Sequence, residues 1–311
     1  MIANNKLGSR NIRLLATLLA LALVVVLLRR QGWDEISQAV GQIQLSRFIL
    51  VMTIMLFSRI FVIARWHVLL RSAGIETSWW QTLKITFAGL FASNFLPSTV
   101  GGDVARMGGA LQAGFDPAIS AASLVVDRVV GLAGMALAFP FGLQKLLLYR
   151  SANASMLGAQ AAWWGTLQKR SARILKRLFA AFKIWLAKPQ ALLLSLLATL
   201  GHMTALFLTI SLLLEGMGDE LPFLEIAGLW SMVYLITLVP FTINGLGLQE
   251  VSTSFAFSQL GGVDPANALV LALLVRTLFM LASLPGALFL SEVLPGISKA
   301  QPILDRIDER G

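Results

Sequence analysis

The stretch that decides the fold runs Phe95-Leu96-Pro97-Ser98-Thr99-Val100-Gly101-Gly102-Asp103-Val104-Ala105-Arg106. It ends an apolar run, residues 83–96, that is too short to cross a bilayer as a helix. Pro97 and the pair Gly101-Gly102 interrupt helical structure, and an acid and a base follow three residues apart. Because apolar sequence flanks this break on both sides, we predict a broken helix at membrane depth, enclosed by protein or by a water-filled cavity.

The composition places the chain in a membrane. Of its 311 residues, 57% are hydrophobic and 13% are charged, and the mean hydropathy is +0.76. A soluble domain carries roughly 25% charged residues. We therefore predict an all-α integral membrane protein, a helical bundle of about 7–8 crossings with two broken or re-entrant segments. Residues 1–311 would form a single membrane domain, with no room for a soluble enzyme domain.

The charge and the chemistry-bearing residues exclude several function classes. The net charge of +9 is typical of Lys and Arg in cytoplasmic loops and of attraction to anionic lipid, and we expect no nucleic-acid partner. The chain has no Cys and two His, and it contains no GxSxG, HExxH or phosphate-loop motif. We expect no cofactor, no metal and no catalytic residues, although a membrane-embedded lipid-modifying enzyme remains an alternative.

Three segments outside the bundle core have their own patterns. Residues 12–28 form an apolar run between basic residues with no cleavage site after it, which predicts an uncleaved first span with a cytoplasmic N-terminus. Residues 166–188 combine a basic face with an apolar face, which predicts an amphipathic helix in the interface plane. The alternative is a cytoplasmic loop helix packed on the bundle. Residues 294–311 form a polar tail.

Residues 45–148 and 189–293 are predicted to be the two halves of an internal repeat. Each half has a span, a short apolar run, a Pro/Gly break, an Asp-Pro-Ala motif and a long helix with an internal Arg. Three net crossings in each half would invert the second half relative to the first, an arrangement typical of transporters with a site near the midplane. The matched positions are Pro97-Ser98-Thr99 with Pro240-Phe241-Thr242, Asp116-Pro117-Ala118 with Asp264-Pro265-Ala266, and Arg128 with Arg276.

Charged residues at the breaks and in the long helices are the candidate site. A central charge costs roughly 2.5–3.5 kcal/mol on insertion scales, so each needs a partner. One hypothesis is that the Arg side chains bind an anionic phosphate head group, because a guanidinium can bond two phosphate oxygens at once. The alternative is a set of internal salt bridges that hold the re-entrant segments in place. The predicted cavity residues are Asp103, Arg106, Arg128, Arg276, Glu250 and Asn244, and the predicted helix breaks lie at Pro97, Gly101, Gly102, Pro240, Gly245 and Gly247.

Two further Arg residues have a simpler interpretation. Arg59 and Arg65 lie in the second apolar span, residues 47–64, or directly after it. Long cationic side chains of this kind often extend to the membrane interface while their aliphatic stems stay in the apolar region. Snorkelling is therefore the expectation for both.

Four stretches resemble motifs of the lysylphosphatidylglycerol synthase transmembrane-domain family, which includes the YbhN-like proteins and the flippase domain of MprF. They are Trp66-His67-Val68-Leu69-Leu70, Asn94 to Arg106, Asp127-Arg128-Val129-Val130-Gly131, and Pro240 to Glu250. The resemblance covers about residues 12–293 and implies a multi-pass bacterial inner-membrane protein that handles lipids. No part of the chain is similar to the aminoacyl transferase of MprF-type proteins, so lysyl-lipid synthesis is not implied.

We therefore expect a lipid translocator that moves an anionic phospholipid or a polyprenyl-phosphate-linked lipid through a polar cavity between two inverted repeats. Its partners would be membrane lipids. The alternative is a non-transporting membrane partner that recruits a lipid or glycan biosynthetic enzyme through the basic helix at residues 166–188. The two hypotheses differ in whether the buried Arg side chains are needed for activity.

Overall fold

The structure is a computed structural model that describes residues 33–95, 101–152, 187–238 and 245–296, and the single residues 18, 25, 26, 29, 185 and 242. Every regular element in these ranges is helical, which confirms the all-α membrane fold. The helices long and apolar enough to cross a membrane are Leu45–Ser72, Pro117–Tyr149, Pro189–Gly216 and Pro265–Gly296. The count of 7–8 crossings stays a prediction, because the first span at residues 12–28 and most of residues 166–188 and 294–311 lie outside the described ranges.

The helices are numbered here in chain order. They are α1 (Trp33–Gly41), α2 (Leu45–Ser72), α3 (Trp79–Phe95), α4 (Gly101–Gln112), α5 (Pro117–Ala152), α6 (Pro189–Gly216), α7 (Phe223–Thr237), α8 (Leu248–Phe255), α9 (Pro265–Ser283) and α10 (residues 287–296). A π-helical turn, Ala256–Leu260, extends α8, and a 3-10 turn, Leu284–Gly286, joins α9 to α10.

The Asp-Pro-Ala motifs begin the two long helices α5 and α9, as predicted. Oδ1 of Asp116 accepts a hydrogen bond from the amide of Ile119 at 2.8 Å, and Oδ1 of Asp264 accepts one from the amide of Ala266 at 2.9 Å. Each carboxylate thus satisfies an amide that has no partner within its helix. Proline in the first turn removes an amide that would also be unpaired. The two long helices thus begin with the same kind of cap, and their equivalence in an internal repeat stays a prediction.

The described residues bear on the predicted breaks only in part. Gly101 and Gly102, which were predicted as helix breaks, are instead the first residues of α4. In the first half α3 ends at Phe95 and α4 begins at Gly101, and in the second half α7 ends at Thr237 and α8 begins at Leu248. Between the latter two, Gly245 and Gly247 have φ angles of 67° and 77°, which favour glycine. Pro97, Pro240 and Asn244 lie outside the described residues, and a re-entrant path stays a prediction.

The first long helices of the two halves, α2 and α6, pack antiparallel along their length. Nη1 of Arg47, near the start of α2, donates to the carbonyl of Leu212, near the end of α6, at 3.0 Å. Nη1 of Arg65, near the end of α2, contacts Oγ1 of Thr199, in the first half of α6, at 3.4 Å. An inverted repeat requires this antiparallel pairing, and the inversion of the complete halves remains a prediction.

The short helix of each half packs on the long helix of the other half. The helix α7 lies on α5, where Nζ of Lys145 is 2.8 Å from Oε2 of Glu225. The helix α3 lies on α9 and α10, where Nζ of Lys84 is 2.9 Å from Oε2 of Glu292. The halves therefore interlock, and neither half buries its helices alone.

The end of the predicted amphipathic helix lies against α2. Trp185 is fully buried, and its Nε1 donates to the carbonyl of Leu69 at 3.1 Å and to Oγ of Ser72 at 3.0 Å. Lys188 also donates to the carbonyl of Ser72. At these two residues the chain packs on the bundle, as the loop-helix alternative requires, while residues 166–184 lie outside the described ranges.

Glycine allows the backbones of α5 and α7 to touch. A methyl group on Gly142 would overlap the carbonyl oxygen of Gly228, and a methyl group on Gly228 would overlap the amide nitrogen of Gly142. Small residues at helix crossings in a membrane increase van der Waals contact, which is a main source of association there. This crossing therefore holds the two halves together.

Replacing Gly142 with Ala is expected to destabilise the protein by about 1–3 kcal/mol through overpacking. The direction of the change in stability separates the two effects. Ala favours a helix over Gly by about 1 kcal/mol, so helix propensity alone would stabilise the variant. Thermal unfolding in detergent, followed by tryptophan fluorescence, measures the change. The control is Gly41→Ala, where the added methyl group meets nothing within 4 Å. A midpoint for Gly142→Ala at or above that of the wild type would contradict the close crossing.

Candidate functional site

Asp127 on α5 is the centre of a buried ion network. Its Oδ1 accepts from Nε of Arg65 on α2 at 2.6 Å, and its Oδ2 accepts from Nη2 of Arg65 at 3.1 Å and from Nη1 of Arg106 on α4 at 2.9 Å. The Asp127 side chain is 2% exposed. A buried carboxylate that bonds two guanidinium groups satisfies its lone pairs but leaves one positive charge in excess. The carboxylate of Asp127 thus joins α2, α4 and α5.

Arg106 keeps unused hydrogen-bonding capacity inside this network. Its guanidinium carbon lies 4.3 Å from the ring centroid of Trp66, a cation–π contact. Trp66 is itself held by a hydrogen bond from its Nε1 to Oγ of Ser123 at 3.0 Å. Nε and Nη2 of Arg106 are buried without a hydrogen-bond partner. An unpaired buried donor is costly, so these two nitrogens favour an additional acceptor at this position.

Glycines place the Arg side chains by leaving space for them. A methyl group on Gly89 of α3 would lie 2.5 Å from Cγ of Arg106, and one on Gly131 of α5 would lie 3.1 Å from Nη1 of Arg65. Gly102, in the first turn of α4, packs against Ser93 so closely that a methyl group would overlap its hydroxyl oxygen. The predicted break residue Gly102 thus sets how near α4 lies to α3.

The neighbouring pair, Asp103 on α4 and Arg128 on α5, faces outward. Nη2 of Arg128 is 2.5 Å from Oδ2 of Asp103, and 61% of the Arg128 side chain is exposed, compared with 18% for Asp103. Nη1 of Arg106 lies 4.0 Å from Oδ1 of Asp103 and links this pair to the buried network. The group, here called the Asp127 cluster, consists of Arg65, Asp103, Arg106, Asp127 and Arg128.

The Asp127 cluster carries a net charge of +1, from three guanidinium groups and two carboxylates. Its charges extend from the interior at Asp127 to the surface at Arg128. The second half contributes polar neighbours, because Oγ1 of Thr199 contacts Arg65 and Tyr234 lies within electrostatic range of the cluster. The cluster can therefore attract an anion to the interface between the two halves.

The second half contains the equivalent ion pair. Nε of Arg276 on α9 lies 2.9 Å from Oε1 of Glu250 on α8, and Nη1 of Arg276 donates to Oε1 of Gln249 at 3.3 Å. As with Arg128 and Asp103, an Arg on the long helix pairs with an acid on the short helix after the break. This second pair is closed, since 7% of the Glu250 side chain and 12% of the Arg276 side chain are exposed.

The structure shows which of the predicted charged residues pair with each other. Asp103 and Arg106, three residues apart in the sequence, form an ion pair at 4.0 Å, but the closest partner of Asp103 is Arg128 and that of Arg106 is Asp127. Arg276 and Glu250 pair directly, whereas the role of Asn244 stays a prediction outside the described residues. Among the described residues, the ion pairs of the predicted site stay within their own half.

Sequence reasoning missed two members of the cluster. Arg65 was expected to snorkel, but it lies inside the bundle, 13% exposed, in a bidentate bond to Asp127. Asp127 was recognised as a buried charge but was not placed in the site. An Asp beside an Arg in a long apolar helix was the available signal, since an intramembrane carboxylate needs a cationic partner. Within the described ranges, His, Cys, Asp and Glu side chains form no group of three that could hold a metal ion.

Replacing Asp127 with Asn is expected to destabilise the protein by about 3–5 kcal/mol, because it leaves two buried guanidinium groups without a counter-charge. The thermal midpoint and the yield of folded protein in detergent measure the loss. Adding Arg106→Met to Asp127→Asn restores the original net charge and should recover part of the midpoint.

The control is Asp103→Asn, a similar change at an acid whose partner Arg128 is mostly exposed. Its expected effect is about 0–1 kcal/mol. If Asp127→Asn and Asp103→Asn destabilised the protein equally, the buried carboxylate would not contribute more stability than the less buried one, and the prediction would be wrong.

The comparisons with known proteins agree with this architecture. Residues 13–286 match the family described as Lysylphosphatidylglycerol synthase TM region. The curated proteins yield no match. The matched range contains both interrupted segments, the Asp127 cluster and the Glu250–Arg276 pair. The chain therefore belongs to the lysylphosphatidylglycerol synthase transmembrane-region family, as a multi-pass membrane protein with a lipid-related function.

Proposed function

We propose that the protein is a lipid translocator that moves a lipid with an anionic head group across the membrane. The lipids that fit are an anionic phospholipid or a polyprenyl-phosphate-linked lipid. In this proposal the head group travels along polar side chains between the two halves, while the acyl or polyprenyl chains stay in the bilayer. The protein acts without covalent change of the lipid and is not an enzyme.

The observation that carries the proposal is the charge gradient of the Asp127 cluster. Arg128 is mostly exposed, Arg106 is buried with two unpaired nitrogens, and the cluster has one positive charge in excess. A phosphate attracted to Arg128 would compete with Asp103 for that side chain and find further donors on Arg106. A purely structural salt-bridge network would be expected to satisfy its buried donors.

The Glu250–Arg276 pair gives the second half a corresponding place for the head group. It is closed in this structure, while the Asp103–Arg128 pair is open. Alternating access, in which one half moves against the other, is expected to leave one of two matching ion pairs exposed while the other is buried. We propose that opening of the second pair accompanies closing of the first.

The membrane and the orientation follow from the family and from the charge pattern. We propose a bacterial inner membrane, with the N-terminus and the basic segment at residues 166–188 on the cytoplasmic side. Lys188 and Trp185 attach the end of that segment to the end of α2. The helix termini around Ser72 would then lie at the cytoplasmic face.

Reconstitution into liposomes with fluorescent lipids tests the proposal. The wild type should accelerate exchange of an anionic lipid between leaflets over protein-free vesicles, and the double substitution Arg106→Gln, Arg128→Gln should slow it about tenfold or more. The reason is that each lost charge-assisted hydrogen bond contributes about 1.5–3 kcal/mol, and about 1.4 kcal/mol corresponds to tenfold. No acceleration by the wild type with any phospholipid or polyprenyl phosphate would sink the proposal.

A matched control separates translocation from recruitment of an enzyme. Arg47→Gln removes a cation of α2 at the opposite end from Arg65, where Arg47 pairs with Glu215. This variant should transport like the wild type. If cells instead tolerate Arg106→Gln with Arg128→Gln and fail only when the basic residues of 166–188 are neutralised, the protein recruits a partner enzyme and does not move lipid.

A further inference from the structure

Arg59 is a buried cation that belongs to neither ion network. It lies on α2 about midway between Leu45 and Ser72, roughly 20 Å from each end at 1.5 Å per residue. That distance exceeds the reach of its side chain, so Arg59 cannot snorkel to either interface. It is 5% exposed in the folded chain. The snorkelling expected from the sequence is therefore replaced by burial at the centre of the bundle.

The contacts of Arg59 leave its charge uncompensated. Its Nη2 lies 3.5 Å from Sδ of Met55, and its guanidinium carbon lies 5.2 Å from the ring centroid of Phe279 on α9. Nε is buried without a hydrogen-bond partner. Within the described ranges, no carboxylate forms an ion pair with Arg59. A thioether and an aromatic ring are weak partners for a guanidinium at membrane depth.

The neighbouring polar group is also unsatisfied. His202 lies midway along α6, and its ring is near Arg59, Arg65 and the backbone of Ser58. Its Nδ1 is buried without a hydrogen-bond partner. Two polar side chains with unpaired nitrogens therefore lie together where the central helices of the two halves cross.

The Arg59 region is connected to the first helix break. Nδ2 of Asn94, next to the end of α3, donates to the carbonyl of Phe279 at 3.3 Å and contacts Oγ of Ser283 at 3.1 Å. Phe279 thus contacts Arg59 through its ring and Asn94 through its backbone.

We propose that Arg59, packed beside His202, forms a second anion-binding site, which takes a phosphate oxyanion at the middle of the bundle. The phosphate can come from a lipid head group or from free inorganic phosphate, since both present the same oxygens to the guanidinium. The site differs from the Asp127 cluster because Arg59 shares no ion pair with the cluster, although His202 lies near both Arg59 and Arg65. It goes beyond the proposed function, since an anion can bind here whether or not lipid is moved.

The test compares binding to the wild type and to Arg59→Met, which keeps an apolar side chain of similar length over Phe279. Native mass spectrometry of the detergent-solubilised protein counts bound dihexanoyl phosphatidylglycerol, with dihexanoylglycerol as the matched lipid without phosphate. A parallel calorimetric titration with inorganic phosphate, in gluconate buffer, identifies the free anion as the source. We expect two tight sites in the wild type for one of these phosphate probes, and one in Arg59→Met.

A second variant controls for the possibility that Arg59→Met misfolds. Arg59→Lys keeps the charge but cannot bond two oxygens at once, so it should retain the second site with about tenfold weaker binding. In anion-free detergent, Arg59→Met should melt above the wild type, because the substitution removes an uncompensated charge. Equal numbers of sites with equal affinities in the wild type, Arg59→Met and Arg59→Lys would overturn the proposal.

The outcome is independent of the transport experiment. If Arg59→Met loses one phosphate site while the wild type moves no lipid in liposomes, the second anion site stands and the translocator proposal fails. If the wild type moves lipid and Arg59→Met binds phosphate and moves lipid as well as the wild type, the translocator stands and the second site fails.

Discussion

A charge inside an apolar bundle is costly unless it is paired, and in this protein Asp127 is the partner on which the first half depends. It neutralises one of two guanidinium groups, from α2 and α4, and so joins the broken segment to the long helices. One positive charge remains in excess. The same interaction therefore holds three helices together and leaves Arg106 with donors that have no partner.

The backbone geometry around this network depends on glycine. Gly89 and Gly102 let α3 and α4 approach, and Gly142 and Gly228 do the same for α5 and α7. Because the short helix of each half packs on the long helix of the other, these close crossings join the two halves.

The two halves repeat their order of helices but not their electrostatics. Both place an Arg of the long helix against an acid after the break, yet Arg128 is open to the outside and Arg276 is enclosed. Asp127 has no counterpart in the second half at the matching position, where Val275 precedes Arg276. Among the described ion pairs of the predicted site, the excess charge therefore lies in the first half.

The sequence by itself determined the membrane class, the helix starts at the Asp-Pro-Ala motifs, the end of α7 before the glycines at 245 and 247, and the family. These features follow from hydropathy, capping and Pro/Gly chemistry, which act over a few residues. Only the tertiary structure decided the pairing of the charges. Arg65 and Asp127 are 62 residues apart in the chain, and which cation reaches which carboxylate depends on helix crossings set by glycine contacts. The same reason explains why Arg59, expected to reach the interface, is instead enclosed at the centre of the bundle.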